Sequence, residues 1–216
     1  MSFATDLLAA LISVILLAGY ELFLRRKLKS DPLYSIQAVN SRARSAWVQG
    51  VMEERGKDVL AIQTLRNSIM GPTFLASTAV LLILGVLSLS GQSEKLNEVW
   101  GVFNMFEQGH QLWLAKLLLL ALDYFVAFFC FSSAVRLFIH VGYMINVPAT
   151  HHNVISPRTV AVFLNRAGFY HMLGMRAYYY SVPLVFWLFG PHFLLAATVL
   201  LVAVMFHLDR APKTSP

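Results

Sequence analysis

Three ionisable side chains lie within long apolar runs or directly beside one, where a charged group is costly. Glu21 belongs to the first run, Asp123 to the third, and Arg176 precedes the last. An uncompensated charge at the centre of a bilayer costs at least ~2.5–3.5 kcal/mol on insertion scales. Counted along helices at about 1.5 Å per residue, all three fall within or near the inner half of a membrane. We therefore predict that Arg176 pairs with Asp123, and Glu21 is the alternative partner.

Such a pair supports three interpretations. In the first, it is a buried ion pair that only fixes the positions of the helices relative to each other. In the second it is a gating pair, and in the third it is part of an ion or proton site. Alternatively, Glu21 and Arg176 extend their long side chains to the membrane interface instead of pairing. The small residues Ala127 and Ala134 share one helical face with Asp123. Small residues beside a carboxylate favour a packed interior face over a lipid-facing one.

The seven histidines raise the question of a metal or haem site. The adjacent pair His151-His152 has no acidic cluster beside it that would supply further ligands. His171 and His207 are the only combination that could ligate a haem within a membrane. The single cysteine, Cys130, excludes an intramolecular disulfide and a zinc site with several cysteines. We predict that the protein binds no metal and no cofactor.

Enzymatic motifs are absent from the sequence. It contains no P-loop, no dinucleotide-binding glycine motif, no nucleophile elbow and no zinc-protease motif. We predict no catalytic residues and no enzymatic activity. Arg66 and Asn67 precede the second apolar run, where they could bind a lipid phosphate or cap a neighbouring helix. The simpler interpretation is that they form a polar, positively charged flank.

Membrane-spanning helices must position these residues. Apolar residues make up 57% of the 216 and charged residues only 13%, against about a quarter in soluble domains. A helix needs about 20 apolar residues to cross the hydrocarbon core. The last apolar stretch, 177–206, is longer than that and contains the helix-breaking Gly190-Pro191. We predict an all-α bundle of five crossings; one long kinked or tilted helix in the last stretch would give four. The predicted crossings are about 7–24, 72–90, 113–135, 170–189 and 192–207.

The basic residues predict the orientation of the crossings. Five crossings place every one of the 17 Lys and Arg residues except Lys95 and Lys116 on one side. This is the positive-inside bias of cytoplasmic loops. We predict a multi-pass protein of the cell (inner or plasma) membrane with its N-terminus outside and its C-terminus in the cytoplasm. The net charge of +6 does not predict nucleic-acid binding, because the cations flank apolar runs instead of forming one basic face.

One substantial segment lies outside the predicted crossings. Residues 41–70 contain apolar residues at helical spacing, with charged residues at the remaining positions. This pattern predicts a cytoplasmic amphipathic helix on the inner leaflet or against the bundle. Gly56 is a candidate break within it, and Pro72 either kinks the chain or begins a new helix. An outer loop is predicted at 91–111. The whole chain, 1–216, is expected to form a single integral membrane domain.

Two sequence stretches resemble a known family. They are residues 64–78, TLRNSIMGPTFLAST, and residues 174–180, GMRAYYY, followed by Pro183 and Gly190-Pro191. With Trp47-Val48 and Met52-Glu53 upstream, they resemble the bacterial and plant membrane proteins catalogued as domain of unknown function 599. The resemblance implies a multi-pass membrane protein without an established activity, and it supplies no catalytic residue. It does place Arg66, Asn67 and Arg176 within the motifs of the family.

These observations favour a non-enzymatic membrane protein that forms a homo-oligomer and passes or binds an ion or small solute. The second candidate is an accessory or scaffolding subunit of a larger membrane complex, docked through segment 41–70 and the outer loop. A membrane redox protein with haem is third. The expected partners are membrane lipid, further copies of the chain or other membrane subunits, and no nucleic acid.

Overall fold

The structure, a computed structural model, describes residues 3–54, 56–91, 110–147 and 155–212. These ranges contain six helices and no strand beyond one isolated bridge between Ser35 and Arg210. The helices are α1 (Phe3–Ser30), α2 (Ile36–Glu53), α3 (Asp58–Ser90), α4 (His110–Met144), α5 (Pro157–Trp187) and α6 (Pro191–Asp209). The prediction of an all-α protein is confirmed. The predicted outer loop 91–111 lies outside the described residues except at its ends, and so does the pair His151-His152.

Four of the described helices are long and apolar enough to cross a membrane. They are α1, α3, α4 and α6, and each presents large apolar side chains on its surface. Phe74 on α3 is 74% exposed and Leu118 on α4 is 66% exposed. Lipid is the solvent that accommodates such faces, because monomeric soluble proteins rarely expose extended apolar patches. The helices therefore identify an integral membrane protein.

The predicted crossing 170–189 lies in α5, which is not among these four. Its apolar part is short, because Arg176 precedes it and three tyrosines, Tyr178, Tyr179 and Tyr180, interrupt it. The count of five crossings therefore stays a prediction. The predicted break after α5 is present: Gly190 has φ 143, a conformation that favours glycine, and Pro191 begins α6. The last apolar stretch is thus two helices and not one long kinked helix.

The segment predicted as an amphipathic helix over 41–70 belongs to two helices. Helix α2 ends at Glu53, the chain turns at Gly56 with φ 90, and α3 begins at Asp58. Residues 58–70 are the first turns of a helix that continues to Ser90, with Pro72 inside it. A proline costs a helix one internal hydrogen bond, and here the helix continues beyond it. No new helix begins at Pro72.

The chain divides into two compact units. The first comprises Met1–Ile36, Val80–Phe125 and Ala177–Pro216, and it contains α1 and α6 entirely. One of its apolar clusters is built around Trp113, Leu117 and Leu188, and another joins Tyr20 to Leu201 and Met205.

The second unit comprises Gln37–Ala79 and Val126–Arg176. Its apolar cluster includes Val48 and Val51 of α2, together with residues of α3, α4 and α5. The apolar face of α2 is therefore buried within this unit. The placement of α2 on the cytoplasmic side stays a prediction.

Candidate functional site

A buried ion pair joins α1 to α4 in the first unit. Lys116 Nζ lies 2.8 Å from Asp6 Oδ1, and the whole Lys116 residue is only 1% exposed. Trp187 of α5 contacts both charges: its Nε1 donates a hydrogen bond of 2.9 Å to Asp6 Oδ1, and its carbonyl oxygen accepts one of 3.3 Å from Lys116. Lys116 Nζ is also 5.0 Å from the centre of the Trp187 ring. Three helices are thus joined through one pair of charges.

This cluster is not among the sites predicted from the sequence, where Lys116 is only one of two cations away from the cytoplasmic side and Asp6 has no predicted role. A signal was nevertheless present. Under the five-crossing threading, Asp6, Lys116 and Trp187 all lie near helix ends at the same membrane surface.

A second group of polar contacts lies further along α1. Glu21 accepts a hydrogen bond of 2.8 Å from the hydroxyl of Tyr180 on α5. The neighbouring Tyr20 donates one of 2.8 Å to Asp209 at the end of α6. Beyond these side chains, the backbone N–H of Ala211 donates to the carbonyl oxygen of Tyr34 at 2.9 Å. Glu21 therefore takes part in binding α1 to other helices of the first unit.

The predicted pair of Asp123 and Arg176 is divided between the units. Asp123 lies on α4 in the first unit, where it is half-buried, and its Oδ2 is buried without a hydrogen bond from a described residue. Arg176 is the last residue of the second unit and is also half-buried. The contact between the two side chains stays a prediction.

A hydrogen-bonded trio of polar side chains joins α2 to α5 in the second unit. Arg44 Nε donates to Asn165 Oδ1 at 2.9 Å, and Asn165 Nδ2 donates to Ser45 Oγ at 2.9 Å. The guanidinium group lies directly against the backbone of Gly168, one turn after Asn165. A Cβ at Gly168 would be 2.7 Å from the central carbon of that group. Glycine at 168 therefore lets Arg44 lie close to α5.

Arg44 keeps hydrogen-bonding capacity beyond this trio. Its Nη2 is buried and has no hydrogen-bond partner among the described residues, and none of them forms an ion pair with it. Burial lowers the pKa of the Arg44 guanidinium from its ordinary value. An arginine nevertheless remains protonated in proteins. The second unit therefore contains a partly buried positive charge that no described carboxylate balances.

A cavity of about 560 Å³ lies beside Arg44. Ligand pockets of this kind commonly measure about 300–1,000 Å³. His171 also lines the cavity, and its Nδ1 is buried without a hydrogen-bond partner among the described residues. The ring of Phe131 lies 5.8 Å from the His171 ring, and Phe131 itself packs against Gly174, where a Cβ would be 2.7 Å from the phenyl ring. Packing thus holds His171 beside the cavity.

The two residues of the family motif differ in their relation to this cavity. Asn67 lines it, whereas Arg66 is exposed and does not. A second cavity of about 550 Å³ is lined by Ser45 and Asn165, together with residues near the start of α5. The trio therefore contributes side chains to both of these cavities.

No metal site is evident in the described part of the chain. Within it, no three or more His, Cys, Asp or Glu side chains are grouped closely enough to hold an ion. His171 and His207, the candidate haem ligands, belong to different units. Cys130 is a free, half-buried thiol.

The apolar helices and the polar side chains gathered inside each unit define an integral membrane protein. The chain belongs to the family described as "Protein of unknown function, DUF599", whose model matches residues 8–214. This match confirms the resemblance seen in residues 64–78 and 174–191. No curated protein and no solved structure shows a significant match to the chain.

Proposed function

We propose that the protein binds a small anion in the cavity beside Arg44, and that it does so as a homo-oligomer without catalysing a reaction. One observation carries the proposal: Arg44 lines the cavity, and its Nη2 is buried and has no hydrogen-bond partner among the described residues. Leaving a buried cation without a counter-charge is strongly unfavourable. An anion in the cavity would supply both the charge and the hydrogen-bond acceptor.

The residue type supports an anion as the ligand. A guanidinium group presents several donors in a fixed plane and matches the oxygens of carboxylates and phosphates. Here Nε is used by Asn165, so that the group is held in place while Nη2 stays available. Among the described residues that line the cavity, none is Asp or Glu. Cations would therefore meet repulsion from Arg44 and no carboxylate.

The proposed membrane topology places the site on the cytoplasmic side. With five crossings, the N-terminus outside and the C-terminus in the cytoplasm, α2 and the adjoining ends of α3, α4 and α5 face the cytoplasm of a cell (inner or plasma) membrane. The site would then receive anions from the cytoplasm or the inner leaflet. A chain with so few crossings scarcely encloses a route by itself, so passage across the membrane would use an interface between copies.

The accessory-subunit proposal is our second candidate. It requires segment 41–70 to present an apolar face to another protein. Val48, Val51 and Met52 of α2 are buried within the second unit, whereas Val59, Leu60 and Ile62 at the start of α3 are exposed. The burial on α2 favours the solute-binding proposal, and the exposed residues of α3 keep the accessory subunit as the second candidate. A haem protein remains third, and the visible absorbance of the purified protein tests it directly.

Thermal unfolding of the purified protein in a neutral detergent tests the anion site. Inorganic phosphate and benzoate are the anionic probes, tetraethylammonium is the cationic probe, and ionic strength is held constant. A ligand at 100 times its Kd stabilises by about 2.7 kcal/mol. For a chain of this length that corresponds to roughly 5–10 °C in Tm. We expect at least one anion, and not the cation, to raise Tm.

Two substitutions on α2 provide the comparison. Arg44→Gln removes the guanidinium in the cavity, whereas Arg42→Gln removes the same charge from an exposed position two residues earlier. We expect stabilisation by anions to persist in Arg42→Gln and to disappear in Arg44→Gln. Equal anion effects in both variants would refute the site. Native mass spectrometry of the same samples tests the homo-oligomer, and a strictly monomeric protein would refute that part of the proposal.

A further inference from the structure

We infer that the ligand of the Arg44 cavity is an amphiphile with one anionic head and an apolar chain that leaves the cavity beside Gly71. The monoanion of an alkyl phosphate and a singly charged phospholipid share this chemistry. The inference rests on the proposed anion site and specifies what that site takes. The charge, the lining and the opening of the cavity each support it.

The charge of the cavity matches a head with a single negative charge. Arg44 is the one Lys or Arg among the described residues that line the cavity. Two lining hydroxyls on α3 are already donating to carbonyl oxygens of their own helix, Thr64 to Leu60 at 2.9 Å and Ser68 to Thr64 at 2.8 Å. The amides of Gln37, Asn40 and Asn67 also line the cavity, but they are neutral donors. A multiply charged solute would leave charge unbalanced there.

The size and lining of the cavity exceed what a small inorganic anion would use. Its volume of about 560 Å³ is many times the ~30 Å³ that one water molecule occupies in the liquid. Beside the polar groups, the lining includes the apolar side chains of Trp47, Leu65, Phe138 and Met172. An apolar chain placed against these side chains gains from leaving water, at about tenfold in affinity for every two buried methylene groups.

The α3 side of the cavity offers the chain a route outward. Asn67 and Gly71 line the cavity, and they share one helical face with Phe74. Phe74 is 74% exposed and the adjacent Met70 is 63% exposed, so that an apolar surface adjoins the cavity. A Cβ added at Gly71 would meet no atom within 4 Å. The space beside Gly71 is therefore open, and a chain that leaves the cavity there would reach this surface.

A series of alkyl phosphates tests the inference on the full-length protein. Binding of inorganic, butyl, hexyl and octyl phosphate is measured at pH 5, where each of these phosphates carries mainly one negative charge, by native mass spectrometry of the protein in phosphatidylcholine nanodiscs. We expect affinity to rise with chain length, by at least tenfold between butyl and octyl phosphate. Gly71→Leu should abolish this rise but leave inorganic phosphate bound, because leucine fills the passage. Gly85→Leu places the same side chain on an exposed position of α3 away from the cavity and should behave as the wild type.

A second arm identifies the source of the amphiphile. Nanodiscs containing phosphatidylglycerol, a singly charged lipid, are compared with nanodiscs of phosphatidylcholine alone. Retention of phosphatidylglycerol by the wild type and by Gly85→Leu, but not by Gly71→Leu or Arg44→Gln, would support a membrane lipid as the ligand. Binding of octyl phosphate without retention of phosphatidylglycerol would support a soluble amphiphile.

The failures of the two proposals are distinguishable. If affinity is independent of chain length and Gly71→Leu changes nothing, the amphiphile is refuted while the anion site stands. If Arg44→Gln binds every phosphate as well as the wild type does, the anion site is refuted and the amphiphile with it.

Discussion

Removing the buried lysine of the first unit is expected to destabilise the protein strongly. In Lys116→Met, Asp6 keeps its place beside Trp187 but loses its counter-charge. At the observed separation of 2.8 Å, two unit charges attract with roughly 6 kcal/mol at an effective dielectric constant of 20. Desolvation offsets part of that attraction. Breaking such a pair from one side typically costs about 3–5 kcal/mol, because the other charge stays buried alone.

The expected change in Tm follows from this free energy. For a chain of this length, 1 kcal/mol corresponds to roughly 2–4 °C, so Lys116→Met should lower Tm by roughly 6–20 °C. The measurement is thermal unfolding in a neutral detergent, followed by tryptophan fluorescence. Lys29→Met serves as the matched control, because it removes an exposed lysine at the end of α1 opposite Asp6. We expect it to change the free energy of unfolding by less than about 1 kcal/mol.

The double variant Asp6→Leu with Lys116→Met separates the loss of a counter-charge from the loss of packing. Replacing both charges of a buried pair by apolar residues is often neutral or stabilising. We therefore expect the double variant to recover most of the stability lost in Lys116→Met. A double variant that is less stable than Lys116→Met alone would refute the reasoning, and so would an unchanged Tm in Lys116→Met.

The remaining predictions concern packing, hydrogen bonding and threading. Gly174→Ala should lower stability by about 1–3 kcal/mol in thermal unfolding, because its methyl group would displace the buried ring of Phe131. Gly168→Ala should leave stability within about 1 kcal/mol but weaken anion binding, because the flexible end of Arg44 moves aside; an equal loss of stability in both variants would contradict this. Tyr180→Phe should cost about 1.5–3 kcal/mol in the same assay through loss of its hydrogen bond to a carboxylate, and no measurable change would contradict it. Reporter tags at the two termini should be accessible from opposite sides of the membrane, and accessibility from one side would refute five crossings.

The apolar helices were predictable because lipid imposes a simple demand on the backbone. Every N–H and C=O in hydrocarbon must be paired within the segment, so a long apolar run specifies a helix. Hydropathy, however, marks the part of a helix in lipid and not its full length. Helix α4 was predicted over 113–135 and extends from His110 to Met144. Polar residues at the ends of a helix continue its hydrogen bonding without adding apolar signal. The break at Gly190-Pro191 was predictable because both residues act locally on the backbone.

The polar sites were harder to predict, because their partners come from helices far apart in sequence. The pattern of residues 41–70 predicts an amphipathic helix, and on its composition alone Arg44 belongs to the charged face of that helix. Its position four residues before Val48 and seven before Val51 places it instead on the buried stripe of α2. Periodicity therefore contained the signal that Arg44 points inward. It could not identify Asn165 or Gly168 as the contacts, since that pairing depends on how α2 packs against α5.

The buried cations of the two units differ in whether a carboxylate balances their charge, and this difference supports a functional role for Arg44. Lys116 is almost fully buried and has a carboxylate at 2.8 Å, so its charge is balanced within the chain. Arg44 is held by a neutral amide, with Nη2 unpaired by any described residue and a cavity beside it. A cation that only joins helices needs a counter-charge of its own, as Lys116 has. A cation that is fixed in position without one is suited to receive that charge from a ligand. Arg44→Gln should therefore weaken anion binding more than it weakens folding, whereas Lys116→Met should do the reverse.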